Sequence, residues 1–185
     1  MKKIIFTFFP LLLLSANSVI ATPQHGLSLY GPQDLKYKAG HPYNYANPNA
    51  PKGGTGVLAD FGAFTKLNPA SLKGVAAPGI GVLVFQTAMD SSADENEAFS
   101  QYGSLVEKAD LAEDHLSLTY HIYKQAKFSD GHPLTADDFL FSFDLVKDPQ
   151  YHPIFKEYFK DIKSIEKIDA IRCVTISRSE IRNCP

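Results

Sequence analysis

The chain has 185 residues, with 18 Lys and Arg against 20 Asp and Glu, a hydrophobic share of 44% and a charged share of 21%. A net charge of −2 excludes a nucleic-acid-binding polycation and a disordered acidic tail, and twelve Gly with twelve Pro exclude collagen-like and low-complexity chains. This length suffices for one sizeable domain, burying roughly 70% of its unfolded surface.

Met1-Lys2-Lys3 is a short positive start, followed by an apolar run from Ile4 to Leu14 and the small polar stretch Ser15-Ala16-Asn17-Ser18. Val19-Ile20-Ala21 fits the small-x-small cleavage rule, so residues 1–21 are expected to be a secretory signal peptide with Thr22 as the mature start. The apolar run is too short to cross roughly 30 Å of hydrocarbon, and no later stretch is long enough for stable membrane insertion. No Cys stands near the cleavage point, so the expected product is exported, soluble and not a lipoprotein, retained in a periplasm. Its charge after cleavage is 16 basic against 20 acidic groups, an ordinary solubility balance.

Residues 22–54 read as an extended, loop-like segment lying over a surface, on the density of Pro and Gly in stretches such as Asn47-Pro48-Asn49-Ala50-Pro51-Lys52-Gly53-Gly54. Gly53-Gly54-Thr55-Gly56 lacks the Lys-Ser/Thr of a phosphate cradle and reads as a glycine lead-in to a strand near Val57 to Phe61. Leu67-Asn68-Pro69 is a turn, and residues 79–89 are apolar and expected to be helical. The acidic stretch from Asp90 to Glu97 lacks calcium-loop spacing and reads as a solvated loop.

From His115 to Tyr123 the pattern has period two, with Leu116, Leu118, Tyr120 and Ile122 on one face, which predicts a half-buried strand. Ser129-Asp130-Gly131 is a turn. Thr135-Ala136-Asp137-Asp138 then starts a helix, since the Thr can cap it and both aspartates lie at its positive end. Phe139, Leu140, Phe143 and Val146 supply the apolar stripe, and Asp148-Pro149 ends it. Ile154, Phe155, Tyr158 and Phe159 mark a second amphipathic stretch, and Ile162, Ile165 and Ile168 a return to strand.

The six His stand in no metal-ligand spacing, and no Gly-x-Ser-x-Gly elbow positions a nucleophile. Asp130 and the Asp137-Asp138 pair could act as acid and base, but turn and helix-cap roles account for them, so neither a cofactor nor an enzyme is expected. Cys173 and Cys184 could pair in an oxidising compartment; the simpler reading is two incidental thiols.

The stretch from Ala126 to Phe143, with Phe128-Ser129-Asp130-Gly131, Pro133, Thr135-Ala136, Asp138 and an aromatic helix at fixed offsets, resembles the signature of family 5 extracellular solute-binding proteins. These are the oligopeptide- and dipeptide-binding components of bacterial ABC importers. His25-Gly26-Leu27-Ser28-Leu29-Tyr30-Gly31 and the Asn47 to Gly54 stretch resemble the Yej-type subgroup, which handles peptides and peptide-like antibiotics. The resemblance implies an α/β fold, part of one lobe of a two-lobed clamshell of the type II periplasmic-binding-protein kind. It also implies a peptide ligand, an inner-membrane ABC permease as partner, no cofactor and no nucleic acid. In peptide-binding relatives, a segment after the Leu-x-Pro turn offers its backbone to the ligand, which corresponds here to Lys73, Gly74 and Val75; a plain surface loop is the other reading. Family members are much longer. The expectation is therefore a truncated chain, with residues 22–170 the amino-terminal part of a lobe and residues 171–185 an atypical tail of the kind a frameshift leaves. Such a piece would expose sheet edges and apolar surface, fold marginally, and act either as a peptide carrier or as an inert remnant; an exported hydrolase is the third reading.

Overall fold

A computed structural model describes residues 23–92 and 99–181. The signal-peptide segment, most of the acidic stretch before Phe99, and Cys184 lie outside these residues. Two antiparallel sheets with helices between their strands organise the rest. The first is small: β1 (Gly26–Ser28), β2 (Met89–Asp90) and β3 (Ser100–Gly103), in the order β1-β3-β2. The second contains β4 (Val106–Leu111), β5 (Ser117–Ile122), β6 (Ile162–Asp169) and β7 (Arg172–Ser177), in the order β4-β5-β7-β6. Helices α1 (Ile80–Leu83), α2 (Ala136–Lys147) and α3 (Pro153–Tyr158) complete the α/β arrangement.

The period-two pattern forms β5 as expected. Leu118 and Ile122 are buried on one face, while Thr119 and His121 look the other way and stay half-exposed. Ile122 meets Val106 across the β4–β5 ladder, and Tyr120 meets Cys173 across β5–β7. Leu118, Ile122, Val106, Ala109 and Cys173 join Met89, Leu134 and Ala136 in one core cluster, with Phe139, Leu140 and Ile165 packed against it.

Helix α2 starts where the sequence puts it. Its Thr135 N–H and hydroxyl both donate to Asp138 Oδ2, at 2.8 and 2.9 Å. The Ala136 amide donates to the Ala170 carbonyl at 2.9 Å, which pins the helix start to the β6–β7 turn. Lys167 Nζ reaches Asp137 Oδ2 at 2.6 Å across the same junction. Loss of the cap should be measurable: Thr135→Ala is expected to lower unfolding free energy by about 1 kcal/mol in urea titrations. A change below about 0.3 kcal/mol would show that this cap is not holding the helix.

Residues 171–185 read as a tail, yet residues 172–177 form β7, which lies between β5 and β6 and carries the fully buried Cys173. The two-residue turn before it is tied by Asp169, whose carboxylate accepts from the Ile171 amide at 3.0 Å and from Arg172 Nε at 2.7 Å. That guanidinium contact, with the amide, holds the Asp169 carboxyl below the usual carboxylate range.

Of the 22–54 segment, the described residues 23–54 do lie largely as loop, apart from β1. Tyr37 is buried against Tyr102 of β3 and Tyr43, with ring centroids 5.6 and 4.8 Å away, and the Tyr102 hydroxyl accepts from the Lys36 amide at 3.1 Å. Two expectations fail. The strand near Val57 to Phe61 does not form; these residues are exposed and carry no ladder pairing among the described residues, because a strand needs a partner and none of the described strands lies beside it. The helix over 79–89 shrinks to one turn, Ile80–Leu83, preceded by Gly79 at φ +73°. No residue of that turn is buried, so nothing offsets the helix-breaking glycines, and the chain passes on to β2, where Met89 enters the core.

Candidate functional site

The segment singled out by the resemblance sits in a loop closed at its base. Lys66 and Ala76 form a parallel bridge, and the Ala77 amide donates to the Lys66 carbonyl at 3.0 Å. Asn68, in the Leu67-Asn68-Pro69 turn, accepts from the Ala70 amide through Oδ1 at 2.9 Å, a side-chain mimic of a backbone turn. Ala70 is buried, and the chain around it docks onto the loop between α2 and α3. There the Leu72 amide donates to the Gln150 carbonyl and the His152 amide to the Ala70 carbonyl, both at 2.8 Å.

Lys73, Gly74 and Val75 form the exposed tip of this loop. Gly74 has φ +88°, a conformation that favours glycine, and a Cβ there would stand 2.9 Å from Thr65 Oγ1. Val75 is occupied on both sides. Its amide donates to Thr65 Oγ1 at 3.0 Å, and its carbonyl accepts from the amides of Thr65 and Lys66 at 2.9 and 3.1 Å. The main-chain groups of Lys73 and Gly74, by contrast, make no hydrogen bond among the described residues. The three residues are therefore not equivalent: the peptide groups of two are without a hydrogen bond among the described residues, and the third is anchored to Thr65. The residue the sequence did not single out is Thr65, whose hydroxyl and amide hold that anchor in register. Its only signal is a hydroxyl residue shortly before the Leu67-Asn68-Pro69 turn.

The acid–base candidates have structural partners instead. Asp130 accepts from the His132 amide at 3.0 Å within its turn, and Asp137 pairs with Lys167. His121 Nε2 lies 2.7 Å from Asp110 Oδ2 on the outer face of the β4–β5 pair, while Asp110 Oδ1 is buried without a partner among the described residues. Among the described residues no group of three His, Cys, Asp or Glu could hold a metal ion, and no helix is long and apolar enough to cross a membrane. A shallow hollow of about 240 Å³ is lined by Gln86, Ser104, Tyr123 and Lys127, among others, and none of Lys73, Gly74 and Val75 borders it.

Residues 101–174, from β3 into β7, match the model of bacterial extracellular solute-binding proteins, family 5 Middle. An uncharacterized protein of Sinorhizobium fredii, y4wM, is 38% identical over 165 residues, which is 88% of this chain and 24% of the relative. From Agrobacterium fabrum, "Peptidoglycan-binding protein YepA" is 34% identical over 84% of this chain and 26% of its own length. "Probable peptide-binding protein YejA" of the same organism is 35% identical over 85% of this chain and 25% of its own length. Among solved structures, the Bacillus subtilis oligopeptide-binding protein AppA in complex with a nonapeptide is similar at a TM-score of 0.45 and 23% identity, over 51% of this chain and 18% of that one. The chain thus spans about a quarter of the length of the curated relatives it matches. The family match covers the Ala126 to Phe143 stretch on which the resemblance rests, and over residues 101–174 the chain is similar to the family 5 bacterial extracellular solute-binding proteins.

Proposed function

We propose that this chain is the peptide-contacting, amino-terminal part of the substrate-binding component of a periplasmic ABC importer, exported by residues 1–21. It holds the main chain of a peptide or peptide-like ligand at Lys73 and Gly74, with Val75 as their anchor. The observation that carries this reading is the pair of exposed, hydrogen-bond-free peptide groups at Lys73 and Gly74, set on a loop fixed by Thr65 and by the 150–152 segment. Peptide groups presented in this way bond any ligand main chain as an added strand would, giving affinity with little side-chain selectivity. The family match supports a binding role over catalysis, and the similarity to the probable peptide-binding protein YejA of Agrobacterium supports peptide as the ligand class.

A second reading, an inert remnant that binds nothing tightly, is favoured by the apolar surface: Val57, Leu58, Phe61, Val82 and Phe85 are all exposed. The two separate in one experiment, an NMR titration of the 185-residue chain with a mixed tripeptide pool. The carrier reading predicts saturable amide shifts centred on Lys73 and Gly74, abolished in Gly74→Val, which the positive φ and the Thr65 contact exclude sterically. Amides at Lys73 and Gly74 that stay still at millimolar peptide would leave the remnant reading standing.

A further inference from the structure

The hollow that Lys73, Gly74 and Val75 do not border lies where three segments hydrogen-bond to one another through the main chain. The Leu105 amide donates to the Ala88 carbonyl, shortly after Gln86, and the Tyr123 amide to the Leu105 carbonyl, both at 3.1 Å. The Ala126 amide closes a turn onto the Tyr123 carbonyl at 3.0 Å, and the Leu134 amide donates to the Ala126 carbonyl at 2.9 Å. Lys127, next in the chain, is bridged to Pro133. Backbone contacts thus fix the walls, and the polar side chains on them share one character. Gln86, Ser104, Tyr123, Gln125 and Lys127 each carry an N–H or O–H donor, and among the described residues no acid lines the hollow. Gln86 Nε2 donates to Ser104 Oγ at 2.9 Å, which leaves the Ser104 hydroxyl proton to donate onward. The side chains of Tyr123, Gln125 and Lys127 make no hydrogen bond or ion pair among the described residues. Leu105 and Ala126 add an apolar side.

We propose that this hollow binds a small monocarboxylate, with its charge on Lys127 and its other acceptor atoms on the Ser104 hydroxyl and the Gln86 and Gln125 amides. The inference is independent of the peptide reading of Lys73 and Gly74. At about 240 Å³ the space lies below the roughly 300 Å³ at which pockets for drug-sized ligands begin, so it suits a molecule of a few heavy atoms. One ammonium matches one negative charge, whereas a phosphate dianion calls for more cationic donors than the hollow holds. A zwitterionic amino acid fails for the opposite reason: no acid answers its ammonium, which would stand near that of Lys127. The class that remains is a carboxylate with no ammonium beside it, of the size of an N-acyl amino acid or a short aliphatic acid.

The test is an NMR titration of the isotope-labelled chain with N-acetylglycine. The expected result is saturable, millimolar binding, with shifts at the side-chain amides of Gln86 and Gln125 and at the Ser104 main-chain amide. Lys127→Gln should weaken binding about fivefold, the share of one exposed ion pair, and Ser104→Ala by about as much through the lost hydrogen bond to a charged group. Both side chains stand at the surface of the hollow, so the circular dichroism of either variant should match that of the unaltered chain. Lys124→Gln removes a neighbouring exposed charge that does not line the hollow and should change affinity less than about twofold. N-acetylglycinamide, which lacks the charge, and glycine, which adds an ammonium, should each bind about fivefold more weakly. Gly74→Val should bind N-acetylglycine as the unaltered chain does, which separates this hollow from the loop. The proposal is overturned if Gln86 and Gln125 stay still at tens of millimolar N-acetylglycine, if the amide binds as well as the acid, or if Lys127→Gln leaves affinity unchanged. Tighter binding of inorganic phosphate overturns it in favour of an inorganic anion.

Discussion

Ile122→Ala is expected to lower the unfolding free energy by about 3–4 kcal/mol. Among the described residues Ile122, Val106 and Cys173 are the largest fully buried side chains, and Ile122 stands where the β4–β5 ladder meets the turn into β7. Its amide donates to the Ile171 carbonyl at 2.8 Å, and the next amide, that of Tyr123, to the Leu105 carbonyl at 3.1 Å. Backbone fixed on both sides cannot collapse into the space left by the lost methyls, so the cavity term adds to the lost burial. Ile168→Ala is the internal comparison. That side chain is about half exposed on β6 and should cost under about 1 kcal/mol. Urea titrations of both variants decide the matter. Similar losses at the two positions would mean that the cluster around Ile122 is not tightly packed.

The readable parts of this fold are those set by residues close in sequence. The alternation in β5 and the Thr135–Asp138 cap of α2 each lie within a few residues, and both stand where the pattern puts them. The isoleucines of β6 come at spacing three, not two, and still belong to a strand. Register shifts at Ile162/Ser164 and at Lys167/Asp169 each add a residue to the alternation, so residues three apart can return to one face. What the sequence hides is pairing between distant segments. β7 buries Cys173 and the polar Thr175, and its central place depends on β5, more than fifty residues earlier. The Val57 to Phe61 segment shows the reverse: strong strand character without a partner gives no strand. The candidate site follows the same rule. Lys73 and Gly74 follow the turn that the resemblance marks, but Thr65, which anchors them through Val75, is recognisable only once the Lys66–Ala76 bridge is seen.

Alkaline pH should lower the stability of this protein in two overlapping stages that belong to the contact between β5 and β7. Burial pushes the Cys173 thiol from an ordinary 9.0 up to about 11, and burial with the adjacent Cys173 pushes the Tyr120 hydroxyl from 10.0 up to about 12. Both groups are neutral when protonated, and the folded state holds their protons more tightly than the unfolded chain does. The stability tied to Cys173 is therefore fully present below pH 9.0 and is lost as pH rises through about 11. The Tyr120 share follows between 10.0 and about 12. At roughly 1.4 kcal/mol per pH unit for each proton, either group can remove about 3 kcal/mol across its window. Urea titrations under reductant should then show constant stability up to about pH 9, a falling slope above it, and a steeper one above pH 10. Tyr120→Phe should keep the first decline and lose the steepening, while Cys173→Ala should delay the onset by about one pH unit, since only Tyr120 then titrates. Stability that stays level to pH 11, or a decline that survives both substitutions together, would place the thiol and the phenol in water and not against each other within the core.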